Sequence, residues 1–371
     1  CCRVDHSEIT AWRDTAKIAD GIYSPAHVKA REQMRKGERP EICKVCWDLE
    51  DKGLESERVK ALRKVNAGQT QVDFDAEPKH VESIDIKFNN TCNLACRMCY
   101  PGSSSLINSL ITDIPQKQRF NNQKKHLISP KFYEDEKLEI IKKHISEGAT
   151  SFKTTGGDPF FQQHFFELID WCIQKNYNKS LEIKLTTNLI GMNPKLLSQL
   201  RKFKKVELTV SIDGYGDVYE YIRYPASWKK LVKNLKLCLI EFKNNSSFEV
   251  YISILLQSYN IFNINILYDY LLNKLGCSKE QIFVDCQLKP IGKSEIAVEN
   301  LPAHLIQQAI NESVIPKVTE FYKSLNPTET GNIKMLKLFS EKTLVYDKQR
   351  NQDYRVLDKR IIHLIETCKK H

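Results

Sequence analysis

The sequence predicts an α/β fold on a parallel sheet, and three observations carry that prediction. First, six short β-branched or apolar runs, at residues 82–88, 150–154, 181–187, 206–212, 249–256 and 281–288, alternate with longer stretches of helical periodicity. Second, the intervening stretches carry apolar faces: Leu138, Ile141 and Ile145 in one, Phe165, Leu168, Ile169 and Cys172 in the next, Leu231, Leu235 and Cys238 in a third. Third, cysteine, glycine or polar residues follow the ends of the first four runs, where parallel sheets bind their ligands. Six βα units in this order fit either an open doubly wound sheet or a barrel.

A chain of 371 residues exceeds one average domain. The expected division is an N-terminal attachment over 1–78, a core over 79–300 and a C-terminal extension over 301–371. No apolar run approaches the roughly eighteen residues of a membrane span, and no export signal opens the chain, so twelve cysteines point to a reducing, cytoplasmic setting. The first residues are Cys1-Cys2 with no methionine, which suggests that the natural chain starts further upstream. The net charge is +10, but lysine and arginine are spread through the chain and offset by 46 acidic residues. That pattern reads as a solvated basic surface and not as a nucleic-acid-binding face. The most basic segment, 112–130, reads as a polar insertion.

In chain order, residues 1–78 look helical and polar and include a CxxC at Cys43 and Cys46. The first core strand then leads into Cys92, Cys96 and Cys99. At this chain's cysteine content a CxxC arises by chance about 0.4 times, but a CxxxCxxC only about 0.01 times. Three thiols offer three ligands to a four-iron cubane and leave the fourth iron open to a substrate or cofactor. A zinc ribbon pairing Cys43/Cys46 with Cys96/Cys99 is a competing reading. It would need the pairs roughly 15–20 residues apart, far closer than they are here, and it leaves Cys92 unexplained.

The second strand ends in Thr154-Thr155-Gly156-Gly157-Asp158-Pro159. Its glycines permit positive φ and close backbone approach, and its proline suits a first helical turn. Asn188 after the third strand, and Ser211 and Asp213 at the end of the fourth, suit ligand contacts or helix caps equally. Arg223 offers a planar guanidinium for a carboxylate, or a surface salt bridge. The run Asp213-Gly214-Tyr215-Gly216-Asp217 lacks the third glycine of a dinucleotide loop. Cys172 and Cys238 read as core residues. Residues 301–371 carry helical signals broken by Pro316, Pro327 and Gly331.

The cysteine triplet after the first strand, the Gly-Gly-Asp-Pro turn after the second and Arg223 together resemble the signature of the radical S-adenosylmethionine (radical SAM) enzymes. The resemblance implies a six-stranded partial (β/α) barrel with a small N-terminal cysteine-containing domain and a C-terminal helical extension. It implies a [4Fe–4S] cluster on Cys92, Cys96 and Cys99 that binds S-adenosylmethionine and cleaves it reductively to a 5′-deoxyadenosyl radical, which takes hydrogen from a substrate. Met98 stands where the family often has an aromatic against the adenine. Gly156, Gly157, Asp158 and Pro159 match the family's Gly-Gly-Glu-Pro motif, with Asp in place of Glu, whose backbone receives the methionyl ammonium. Asn188, Ser211 and Asp213 match strand-end contacts to the cofactor, and Arg223 matches an arginine that pairs with its carboxylate.

Cys43 and Cys46, followed by Glu50, Gly53, Ser56 and Arg58, resemble a twitch or SPASM-type region. That implies an auxiliary [4Fe–4S] cluster, with Cys1 or Cys2 as a further ligand. It also implies a peptide or protein substrate and an external one-electron reductant such as flavodoxin or ferredoxin. The alternative class is a non-catalytic iron–sulfur or zinc-binding protein serving structure or electron transfer, which would need neither Gly156-Gly157 nor Arg223 as a cofactor cradle.

Overall fold

The computed structural model describes residues 25–51, 53, 55–68, 73, 76, 80–110, 131–286 and 294–369. Cys1, Cys2 and the basic segment 112–130 lie outside the described residues. The described residues fall into two compact units, one drawn from Cys1–Ile84 and Ser129–Thr150, the other from Asp85–Ile128 and Ser151–His371.

Among the described residues the first unit carries the polar helices α1 (Pro25–Arg35), α2 (Lys44–Glu50) and α3 (Glu57–Asn66). Ser56 starts α3 because its hydroxyl accepts from the Val59 N–H at 3.1 Å, satisfying a donor that the first helical turn leaves free. The chain then enters β1 (Ser83–Ile86), α4 (Ser105–Leu110) and α5 (Lys131–Glu147).

The rest of the sheet alternates with helices as the periodicity predicts. The order is β2 (Ser151–Thr154), α6 (Gln163–Gln174), β3 (Glu182–Thr187), α7 (Pro194–Leu200), β4 (Lys205–Ser211), α8 (Asp217–Ile222), α9 (Trp228–Asn244), β5 (Phe248–Leu255), α10 (Ile264–Asp269) and β6 (Ile282–Asp285). Asn193 and Ser227 cap α7 and α9, accepting from Leu196 and Lys230. In the sheet the strands stand in the order β1-β2-β3-β4-β5-β6, and the pairs from β2 to β6 are parallel, in registers such as Ile183↔Val206, Val206↔Phe248 and Ile252↔Ile282. A doubly wound sheet reverses its strand order at a switch point. This one never does, so the fold is a six-stranded partial (β/α) barrel.

One face of each long strand is fully buried: Ile183 and Leu185, Val206, Leu208 and Val210, then Phe248, Val250, Ile252 and Ile254. The helical faces read from the sequence are buried too, including Cys172 and Cys238.

The C-terminal segment is helical: α11 (Ala303–Glu312), α12 (Pro316–Ser324), α13 (Ile333–Arg350) and α14 (Lys359–Lys369). Pro316 opens α12 at its first turn, where a missing N–H costs nothing. Unusually, α13 buries Lys342, Thr343, Asp347 and Arg350 along with its apolar residues. Lys342 pairs with Glu295 at 2.6 Å, and Thr343 hydrogen-bonds the Tyr259 hydroxyl at 2.7 Å. Among the described residues no helix is long and apolar enough to cross a membrane.

Candidate active site

β1 delivers the chain to the carboxyl end of the sheet, and residues 87–105 close there into a loop. Asn89 Oδ1 accepts from Thr91 N at 2.8 Å, Asn90 Nδ2 donates to the Pro101 carbonyl at 2.8 Å, and Ser105 N donates to the Asn90 carbonyl at 2.7 Å. The loop is also tied to the end of α8, since Ala95 N donates to Tyr224 O (2.6 Å) and Arg97 N to Ile222 O (2.9 Å). Cys92, Cys96 and Cys99 all lie on this loop, Cys96 buried and the other two half-buried.

Several N–H donors face the thiols. Leu94 N lies 3.5 Å and Asn188 Nδ2 3.9 Å from Cys92 Sγ, and Arg223 Nη1 lies 3.8 Å from Cys96 Sγ. Burial pushes the Cys92 thiol up to about 12 and raises Cys96 and Cys99 as well. These thiols therefore hold their protons at neutral pH until a metal displaces them. Among the described residues no three His, Cys, Asp or Glu side chains form a group that could hold a metal ion. A cubane puts each thiolate on a different iron, so its ligands need not converge on one point.

The turn after β2 packs on this loop. Gly156 and Gly157 have φ of +80° and +63°, a region that side chains disfavour. A Cβ on Gly157 would run into the Thr91 carbonyl and lie 2.6 Å from Gln162 Nε2. The close approach at these glycines is thus to the chain's own cysteine loop, which Asp158 N reinforces by donating to Thr91 O at 2.8 Å.

Asp158 is buried, and its carboxylate accepts from Phe160 N (3.0 Å), Thr187 Oγ1 (2.9 Å) and Asn188 N (2.6 Å). It caps the short turn opened by Pro159 and fastens β2's end to β3's. Burial outweighs these donors and raises its pKa to about 6. Asn188 in turn donates to Asn93 Oδ1 at 2.8 Å, bringing the β3 end onto the cysteine loop.

Arg223, just past α8, places Nη2 2.6 Å from Asp213 Oδ2, while Asp213 Oδ1 accepts from Leu255 N at 2.8 Å. Met98 is half-buried on the cysteine loop, and Ser211 is half-buried as the last residue of β4. Among the buried polar atoms that lack a hydrogen-bond partner among the described residues is Arg223 Nε, on the guanidinium beside Cys96. Such atoms are costly unless satisfied. A ligand carboxylate would satisfy that guanidinium. The residues therefore fit S-adenosylmethionine, and the thiols fit an iron cluster.

One part of the site has no local sequence signal. Arg97 is buried, donates through Nε to Tyr221 O at 3.0 Å and through Nη2 to Gln352 Oε1 at 3.0 Å, pairs with Asp347 on α13, and lies 3.6 Å from the Tyr221 ring centroid. The C-terminal extension thereby reaches the cysteine loop.

In the first unit, Cys43 is buried at the end of a single 3₁₀ turn, and Cys46 is half-buried on α2. Burial raises the Cys43 thiol. Glu50 accepts from Ser56 Oγ at 2.5 Å and Arg58 Nε at 3.0 Å, and the Arg58 guanidinium lies 4.4 Å from the Trp47 ring centroid.

Residues 86–256 match the model of the Radical SAM superfamily. Among solved structures, anSMEcpe with bound AdoMet is 21% identical, with a TM-score of 0.41, covering 64% of this chain and 58% of its own. Streptococcus suis SuiB bound to S-adenosylmethionine is 14% identical, with a TM-score of 0.41, covering 87% of this chain and 64% of its own. SuiB has also been solved with its precursor peptide SuiA, at 14% identity and a TM-score of 0.40, covering 78% of this chain and 58% of its own. The chain thus spans less than two thirds of the length of these proteins. No curated protein matches it.

Proposed function

We propose, from the match of residues 86–256 to the Radical SAM superfamily, that this chain is a radical SAM enzyme abstracting hydrogen from a peptide or protein substrate. Cys92, Cys96 and Cys99 would hold a [4Fe–4S] cluster. When bound, the cluster and S-adenosylmethionine supply a 5′-deoxyadenosyl radical after one electron arrives from an external donor such as flavodoxin or ferredoxin. The chain's own residues bind and orient. Arg223 offers the cofactor carboxylate its unpartnered Nε, Asp213 holds the guanidinium in place, and Asn188 and Thr91 brace the cysteine loop. Met98 and Ser211 complete the proposed cofactor contacts. The observation that carries this reading is the Arg223 guanidinium between Cys96 Sγ and Asp213.

The peptide or protein substrate rests on the twitch-like sequence around Cys43 and Cys46, where we place an auxiliary [4Fe–4S] cluster. The ten described cysteines are all free thiols, which supports a cytoplasmic location. The test is anaerobic reconstitution followed by dithionite and S-adenosylmethionine. We expect 5′-deoxyadenosine from the wild-type protein and none from the Cys92→Ala/Cys96→Ala/Cys99→Ala variant. Equal product from both would reject the assignment. A reconstituted cluster with no product from either would leave the non-catalytic iron–sulfur reading.

A further inference from the structure

Arg350 ends α13 and is 5% exposed. Neither its Nε nor its Nη1 has a hydrogen-bond partner among the described residues. Its guanidinium carbon lies 4.2 Å from the Tyr346 ring centroid and 5.7 Å from that of Tyr224. Ring faces return less to a cation than burying it unpaired costs. The carboxylate one turn upstream, Asp347, is engaged by Arg97. Arg223 has its own carboxylate in Asp213. Among the described residues Arg350 forms no ion pair, so its buried positive charge has no carboxylate of its own. Burial, and then the Arg97 charge, lower the Arg350 pKa to about 10, so the charge persists at neutral pH.

The surroundings connect this cation to the cysteine loop. Tyr224, whose ring faces Arg350, takes the Ala95 N–H on its carbonyl, one residue before Cys96. Cys96 is close enough for its ionised form to stabilise the guanidinium, as a metal-bound thiolate there would. A [4Fe–4S] core of formal charge 2+ on three thiolates carries one net negative charge. That charge is opposite in sign to the unpaired guanidinium and equal to it in size.

We propose that Arg350 is the buried counter-cation of the cluster on Cys92, Cys96 and Cys99, holding its reduction potential up by favouring the more negative, reduced state. The inference rests on the cluster assignment above. No bond changes: one electron enters from the external donor, and the fixed guanidinium lowers the cost of the charge it adds.

The experiment is an EPR-monitored redox titration of anaerobically reconstituted wild type, Arg350→Met and Arg350→Lys, with thermal unfolding of each before and after reconstitution. In Arg350→Met we expect the reduction equilibrium to fall about tenfold, a drop of about 59 mV for one electron. Arg350→Lys keeps the charge and should stay within about threefold of wild type. Cluster-free Arg350→Met should be at least as stable as cluster-free wild type, having lost an unpaired cation, and should gain less stability on cluster loading. Loss of the cluster from Arg350→Met but not from Arg350→Lys would also support the inference. A fully loaded Arg350→Met with an unchanged midpoint would overturn it, as would loss of the cluster from both folded variants. An iron content unchanged by Cys92→Ala/Cys96→Ala/Cys99→Ala would instead remove the cluster assignment itself, and this inference with it.

Discussion

Arg97, the residue after Cys96, and Asp347, on the last long helix, form a buried ion pair across 250 residues of sequence. Removing one member of such a pair leaves a buried charge without its counterpart, which costs about 3–5 kcal/mol. Asp347→Asn should therefore lower the urea midpoint substantially and reduce the iron retained after reconstitution. Replacing both partners together, Arg97→Met with Asp347→Leu, should recover most of the stability. An unchanged midpoint in Asp347→Asn would show that the pair contributes nothing.

Gly157 and Arg223 separate two kinds of damage. Gly157→Ala forces a side chain into left-handed backbone, at about 1–3 kcal/mol, and presses on the Thr91 carbonyl. Iron content should fall along with cofactor binding, because the glycine packs against the cysteine loop. Arg223→Ala removes a charge-assisted contact worth about 1.5–3 kcal/mol, so S-adenosylmethionine affinity should drop roughly 10- to 150-fold by calorimetry. Pairing it with Asp213→Asn avoids stranding that buried carboxylate. Wild-type affinity in the double variant would exclude Arg223 from cofactor binding.

Asp158 makes a pH prediction with an unusual sign. Its folded pKa of about 6 lies above the ordinary value of 3.8. The folded state therefore holds this proton more tightly than the unfolded chain does. The contribution to stability is fully present below about pH 4 and is lost as pH rises through 6, amounting to about 3 kcal/mol. Asp158→Asn cannot lose such a proton. The difference in urea midpoint between this variant and the wild type, both cluster-free, should shift in the variant's favour between pH 4 and pH 7. A difference that stays flat over that range would show that Asp158 keeps its ordinary pKa.

The auxiliary site predicts an iron count. Reconstituted wild type should hold about eight irons per chain if both sites carry four-iron cubanes. Cys43→Ala with Cys46→Ala should halve that number while reductive cleavage of S-adenosylmethionine continues. Iron that is indifferent to the double substitution would remove the second cluster.

Much of the fold is legible in the sequence because each strand is a short apolar run and each covering helix repeats its apolar residues every three or four positions. Those patterns locate β3 within a residue of its structural bounds and place Leu168, Ile169 and Cys172 in the core. They leave open the choice between barrel and doubly wound sheet, since strand order is a long-range property that no local period encodes. At the site, the improbable spacing makes the cysteine triplet legible. The swap of Glu for Asp158 is visible too, but the use of its carboxylate by Thr187 and Asn188 appears only in three dimensions. The Arg97–Asp347 pair is illegible for a related reason. No local pattern singles out the charged residues of α13, whereas the fold buries Lys342 and Asp347 against partners far away in sequence.

The 250 residues between Arg97 and Asp347 are also an interval of time. At about 5–20 residues per second on the ribosome, Asp347 follows Arg97 by roughly 12–50 s. Throughout that interval the three thiols have already been made, while the helix that neutralises the residue between them does not yet exist. The nascent chain therefore presents its cysteines to oxygen, stray metals and one another before it can complete the wall that encloses them.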